Sequence, residues 1–180
     1  MRRAGGIQED GGGGPHMAEE KREIQISKYT REYSRLQRYG DADRIVREAA
    51  EEYAEKCILE NDRIALTRRF LIHFSGKRTE IIPLDSALWV FETQELKNEL
   101  FSQQEQMIYT LYITTITGER YKIRMEDHEG IEEVTNLLTV RYPNFFYGYS
   151  AEHSRMVHYI LDENQKELSA LRKKGGKTGR

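Results

Sequence analysis

The strongest constraint on the fold lies between residues 107 and 125. Met107, Tyr109, Leu111 and Ile113 fall on one side of an extended chain, and Thr110, Tyr112 and Thr114 fall on the other. Thr117-Gly118-Glu119 then turns the chain, and Arg120 to Met125 alternates without exception. Tyr121, Ile123 and Met125 point inward, while Arg120, Lys122 and Arg124 point outward. A period of two belongs to strands. The segment therefore predicts an antiparallel hairpin with one face on a core and the other toward water.

Shorter strands are expected upstream. Arg63–Thr67 and Phe70–Phe74 are rich in Ile, Leu and Phe, Ser75-Gly76-Lys77 is a turn, and Thr79–Leu84 returns. Ala87–Glu92 carries the single tryptophan, Trp89, and is a further strand. Residues 94–105 are rich in Gln and Glu and predict a loop with at most a helical turn. Past the hairpin, Asp127 is placed to cap a helix, with Glu129, Glu132 and Glu133 near its positive end. Ile131, Val134, Leu137 and Leu138 form its buried stripe, and Pro143 ends it. Phe145–Tyr149 predicts a short aromatic strand or extended segment, followed by a helix from about Ala151 to Lys173.

The N-terminal third predicts a helical hairpin. Ile26, Tyr29, Tyr33 and Leu36 repeat at helical spacing within residues 18–39. Gly40 is the stop and Asp41 the cap of a second helix, whose apolar face is Ile45, Val46, Ala49, Ala50 and Tyr53. Such a hairpin has too little apolar surface to stand alone, so it should dock on the strands. Residues 1–16, MRRAGGIQEDGGGGPH, have no apolar period. Three origins fit them: an expression-tag remnant or a start placed upstream of Met17, and after these a native flexible tail. The expected organisation is a disordered 1–16, a helical hairpin over 17–60, a sheet domain over 61–150, and a helix with a basic tail over 151–180.

Composition excludes several classes. The formal net charge of -2 gives no global field toward nucleic acid, and no specific nucleic-acid partner is expected. One cysteine, Cys57, cannot form an internal disulfide and favours a reducing, cytoplasmic setting. No run approaches a membrane span. His73, His128, His153 and His158 lack zinc-ligand spacing, so no metal or cofactor is expected. Gly76-Lys77 lacks the upstream glycine and the following Ser or Thr of a phosphate loop. No catalytic spacing emerges, and the chain is expected not to be an enzyme. The candidate binding residues are cations: Arg68, Arg69, Lys77 and Arg78, close in sequence around one hairpin, together with the basic tail. They would suit an anionic headgroup or a phosphopeptide.

Several segments resemble a known family. Ala65-Leu66-Thr67-Arg68-Arg69-Phe70-Leu71-Ile72, Ile82-Pro83-Leu84-Asp85-Ser86-Ala87-Leu88-Trp89-Val90-Phe91 and Gly118-Glu119-Arg120-Tyr121-Lys122-Ile123 resemble strands of bacterial pleckstrin-homology-like (PH/GRAM-like) domains. Leu36–Val46, Tyr142-Pro143 and Tyr147-Gly148-Tyr149-Ser150 are similar to flanking parts of one such group of unknown function. The resemblance implies an α+β fold, a bent antiparallel sheet or partly open barrel with a closing helix. It implies a binding platform and brings no catalytic residues. The expected role is protein–protein interaction or self-association, at a sheet edge or beside the closing helix. Weak binding to anionic lipid through the cations, and an unrecognised enzyme, are the alternatives.

Overall fold

In the computed structural model, residues 22–76, 78–98 and 105–175 are described. They form two four-stranded sheets with helices at both ends of the chain. The first sheet contains β1 (Leu59–Glu60), β2 (Ile64–Leu66), β3 (Phe70–Ser75) and β4 (Arg78–Pro83), paired in chain order. A 3-10 turn at Leu84–Ser86 leads into the second sheet. There β5 (Ala87–Asn98), β6 (Glu105–Thr115) and β7 (Arg120–Met125) form an antiparallel meander, and β8 (Phe146–Tyr147) adds in parallel to β5. The sheets do not close into a barrel. The helix α3 (His128–Arg141) packs across the opening.

The core follows the expected alternation. Ile64, Leu66, Leu71 and Ile82 of the first sheet meet Val90, Leu111, Ile113, Tyr121 and Ile123 of the second, under Ile131, Val134 and Leu138 of α3. Asp127 caps α3, accepting from the Glu129 and Gly130 amides at 3.0 and 3.1 Å. Gly118 turns β6 into β7 at φ +81°, a backbone conformation that L side chains rarely adopt.

A second core explains why β3 is buried on both faces and apolar but for His73 up to Phe74. Ala65, Phe70, Ile72, Phe74 and Ile81 face away from the first core. Against them lie α1 (Arg31–Leu36) and α2 (Ala42–Lys56), which contribute Tyr33, Leu36, Ile45, Ala49 and Tyr53. The first sheet is thus covered on both faces. Asp41 caps α2 as expected, accepting from the Arg44 amide at 3.2 Å.

Three expectations are corrected. The helix expected over 18–39 shrinks to Arg31–Leu36, with Thr30 as its cap; residues 18–21 lie outside the described residues. Tyr29, expected on the apolar face, is fully exposed. Residues 94–105 were expected to be a loop, yet β5 runs to Asn98 and β6 starts at Glu105. Register pairing from Glu92↔Leu111 to Asn98↔Glu105 holds this ribbon together in spite of its polar sequence. Third, Thr110 and Thr114 were placed on the water side of β6, but both are buried. The final helix, α4 (Ala151–Gly175), contacts β5, buries Val157, and reaches the Ile116 carbonyl through Asn164 Nδ2 at 3.4 Å.

Leu138→Ala, in the closing helix, should cost about 2–5 kcal/mol in urea unfolding. Tyr29→Ala should lie within about 0.5 kcal/mol of the parent protein.

Candidate functional site

Three clusters of chemistry-bearing residues stand out. The first is buried. Arg35 of α1 is only 9% exposed and reaches both sheets. Its Nη1 lies 2.6 Å from Glu80 Oε1 on β4, and its Nε lies 2.7 Å from Glu119 Oε2 in the β6–β7 turn. Nη2 donates to the Arg120 carbonyl at 2.5 Å, and the guanidinium lies 4.0 Å from the Tyr121 ring centroid. The network continues through His73 Nδ1 to Glu80 Oε2 at 2.9 Å and through Arg38 to Glu119 at 2.5 Å. Beside it, Tyr39 pairs its hydroxyl with Thr115 and Tyr121. Burial alone would raise the Glu80 carboxyl, but His73 and Arg35 reverse this and hold it below the usual carboxylate range. Each charge in the network is spent on another. The cluster therefore fastens α1 to both sheets.

The second cluster is the expected cationic patch, whose described members the structure sets apart. Arg68 and Arg69 sit at the β2–β3 turn, whereas Arg78 opens β4 at the far end of β3. The six residues of β3 put roughly 17 Å between the two turns. Arg69 is also committed to α2, with Nη1 2.9 Å from Glu48 and Nε 2.5 Å from Glu52. Its own amide donates to Glu52 at 3.0 Å. Arg68 lends its carbonyl to the Tyr142 hydroxyl. Arg68, Arg69, Asp85, Arg141 and Tyr142 line a cavity of about 350 Å³, in which Asp85 brings a negative charge among the cations. Lys77 lies outside the described residues.

The third cluster is the outer reach of the second sheet. Here β5 and β6 run on past both neighbours. β7 pairs with β6 only from Tyr109 to Thr114, and β8 pairs with β5 only at Trp89 and Val90. Gly148 donates its amide to the Val90 carbonyl at 3.0 Å, so the backbone groups of Val90 face β8. Alternate residues of a strand turn their N–H and C=O to the same edge. Glu92, Gln94 and Leu96 therefore present theirs to that edge as well, where no strand among the described residues meets them. The chain leaves the edge at Gly148, in the left-handed region at φ +74°. Trp89 Nε1 fixes that departure by donating to the Gly148 carbonyl at 2.9 Å. On the core-facing side of the ribbon, Leu96 and Met107 are cross-strand partners, 49% and 38% exposed. No signal in residues 94–98 taken alone marks them as strand; only the register opposite 105–109 does.

The family model of a domain of unknown function, DUF6709, matches residues 27–157. The chain belongs to this family. The matched span takes in α1, α2, both sheets and the start of α4, so the helical hairpin and the sheets lie in one family unit. A search of the curated proteins finds no match for the chain. Among the described residues of this DUF6709 protein, no helix is long and apolar enough to cross a membrane, and no three His, Cys, Asp or Glu side chains are grouped to hold a metal ion.

Two measurements test the buried cluster. Arg35→Ala should destabilise by about 3–5 kcal/mol, because it leaves Glu80 and Glu119 buried without their partner. The second concerns pH. A carboxylate with a depressed folded-state pKa contributes stability above its unfolded value of about 4.5 and loses it as pH falls through the lower folded value. Urea titrations across that acid range should show a shallower loss of stability in Glu80→Gln than in the parent protein. For the dispersed cations, Arg69→Ala should lower the melting temperature, while Arg78→Ala should leave it unchanged.

Proposed function

We propose that this DUF6709 domain is a cytoplasmic protein-binding module that takes an extended segment of chain along the free edge of β5. The observation that carries the reading is that edge. Over Glu92–Leu96 it offers backbone donors and acceptors beside a partly exposed Leu96–Met107 pair. Strand addition of this kind draws affinity from main-chain hydrogen bonds and selectivity from alternate side chains. The arrangement of a four-strand and a three-strand meander closed by α3 supports reading the domain as pleckstrin-homology-like, with the sheets as a rigid platform. The separation of Arg68 and Arg69 from Arg78 removes the support for an anionic-lipid site built from those residues.

Selection of binders from a displayed library of random linear peptides tests the reading. Peptides that bind the parent protein should slow hydrogen exchange at the Gln94 and Leu96 amides. Gln94→Pro removes an amide that points away from β6, so the ribbon ladder stays intact. This variant should keep the parent melting temperature within a few degrees and lose at least tenfold in peptide affinity. Peptides that protect another surface and bind Gln94→Pro equally well would overturn the proposal.

A further inference from the structure

The residues along the free edge also suggest what covers it. We infer that the occupant is a second copy of this chain, with the two β5 strands paired antiparallel about a two-fold axis at Leu96; this rests on the edge reading above.

The argument is one of register. Any antiparallel pairing across this edge must match residues whose backbone groups face it, namely the even-numbered ones. Centring the axis on Leu96 places Leu96 opposite itself and Gln94 opposite Asn98. It also places position 95, a glutamate, opposite position 97, a lysine, and the two-fold axis repeats that pair. These positions form non-hydrogen-bonded pairs, in which opposing Cα atoms come closest, at about 4.5 Å. Charge there is decisive. An axis at position 95 would set glutamate against glutamate, and one at 97 lysine against lysine. An axis at Gln94 would set Glu92 opposite Leu96 and Thr93 opposite Glu95, with no complementary pair. Among axes that keep the facing pairs within the described residues of β5, only the Leu96 register combines opposite charges with the hydrogen-bonding pattern of the edge. It also joins Leu96 and Met107 of one copy to the same pair of the other, covering the apolar side of both ribbons.

Sedimentation equilibrium on the full chain over a wide concentration range decides the matter. The parent protein should show a reversible dimer of twice the 21.2 kDa chain mass, and Gln94→Pro should be monomeric. Glu95→Lys alone and Lys97→Glu alone should each weaken the dimer about tenfold, since the two-fold axis counts each like-charge contact twice. Mixing these two variants should restore association, because each then meets its opposite charge at both sites. A monomeric parent protein, or a mixture that associates no better than its components, would overturn self-pairing. A monomeric parent whose selected peptides still protect Gln94 and Leu96 would overturn self-pairing and leave the edge reading standing. Selected peptides that bind elsewhere, with dimerisation untouched by Gln94→Pro, would overturn both.

Discussion

The arrangement of the domain hangs on one guanidinium. α1 has six residues and cannot hold its shape alone. It is kept in place because Arg35 spans the gap between β4 and the β6–β7 turn, donating to Glu80, Glu119 and the Arg120 carbonyl at once. A lysine could not do this, since its ammonium is one compact charge and not a planar fork. The cost of burying the charges is met by hydrogen-bonding nearly every one of them, down to His73 on Glu80 and Arg38 on Glu119. The result ties α1 to two parts of the chain that lie 45 and 84 residues further along the sequence.

That tie is also why the sequence was legible in some places and opaque in others. Residues 120–125 could be read directly because their outer face meets water and their inner face meets the core, which writes a period of two into the chain. β3 is covered by α3 and the second sheet on one side and by α1 and α2 on the other. Its run Phe70–Phe74 is therefore buried throughout and apolar but for His73, and only its length separates it from a buried helix. The N-terminal stretch misled for the opposite reason. Ile26, Tyr29, Tyr33 and Leu36 have helical spacing, but residues 22–27 are irregular, Lys28 and Tyr29 lie in a turn, and the segment buries Ile24 in place of Tyr29. A period over four residues cannot tell a helix from a coil that happens to dock two of them.

The cations show the limit of reading a site from proximity in sequence. Arg68, Arg69 and Arg78 lie within eleven residues, yet a strand intervenes and carries them to opposite ends of a sheet. Arg69 then becomes a fastening for α2, through Glu48 and Glu52 at helical i, i+4 spacing. That pairing is not written in the local sequence, because which cation meets the two acids depends on where β3 begins.

The long ribbon was the least legible element, and the cause bears on what it does. A strand edge left open in solution must avoid indiscriminate pairing, and polar or charged residues on the edge serve that end. Residues 92–98, ETQELKN, fit this requirement and in doing so erase the apolar alternation that would have announced a strand. The edge is not a frayed end. Gly148 turns β8 away after two residues, and the Trp89 indole holds that turn from the opposite side. A structure that spends a buried indole hydrogen bond on ending a neighbouring strand, and then extends the exposed strand by eight more residues, keeps that edge available. With Glu at 95 and Lys at 97 about a central leucine, the proposed pairing of two copies at Leu96 would set each of these charges opposite its complement.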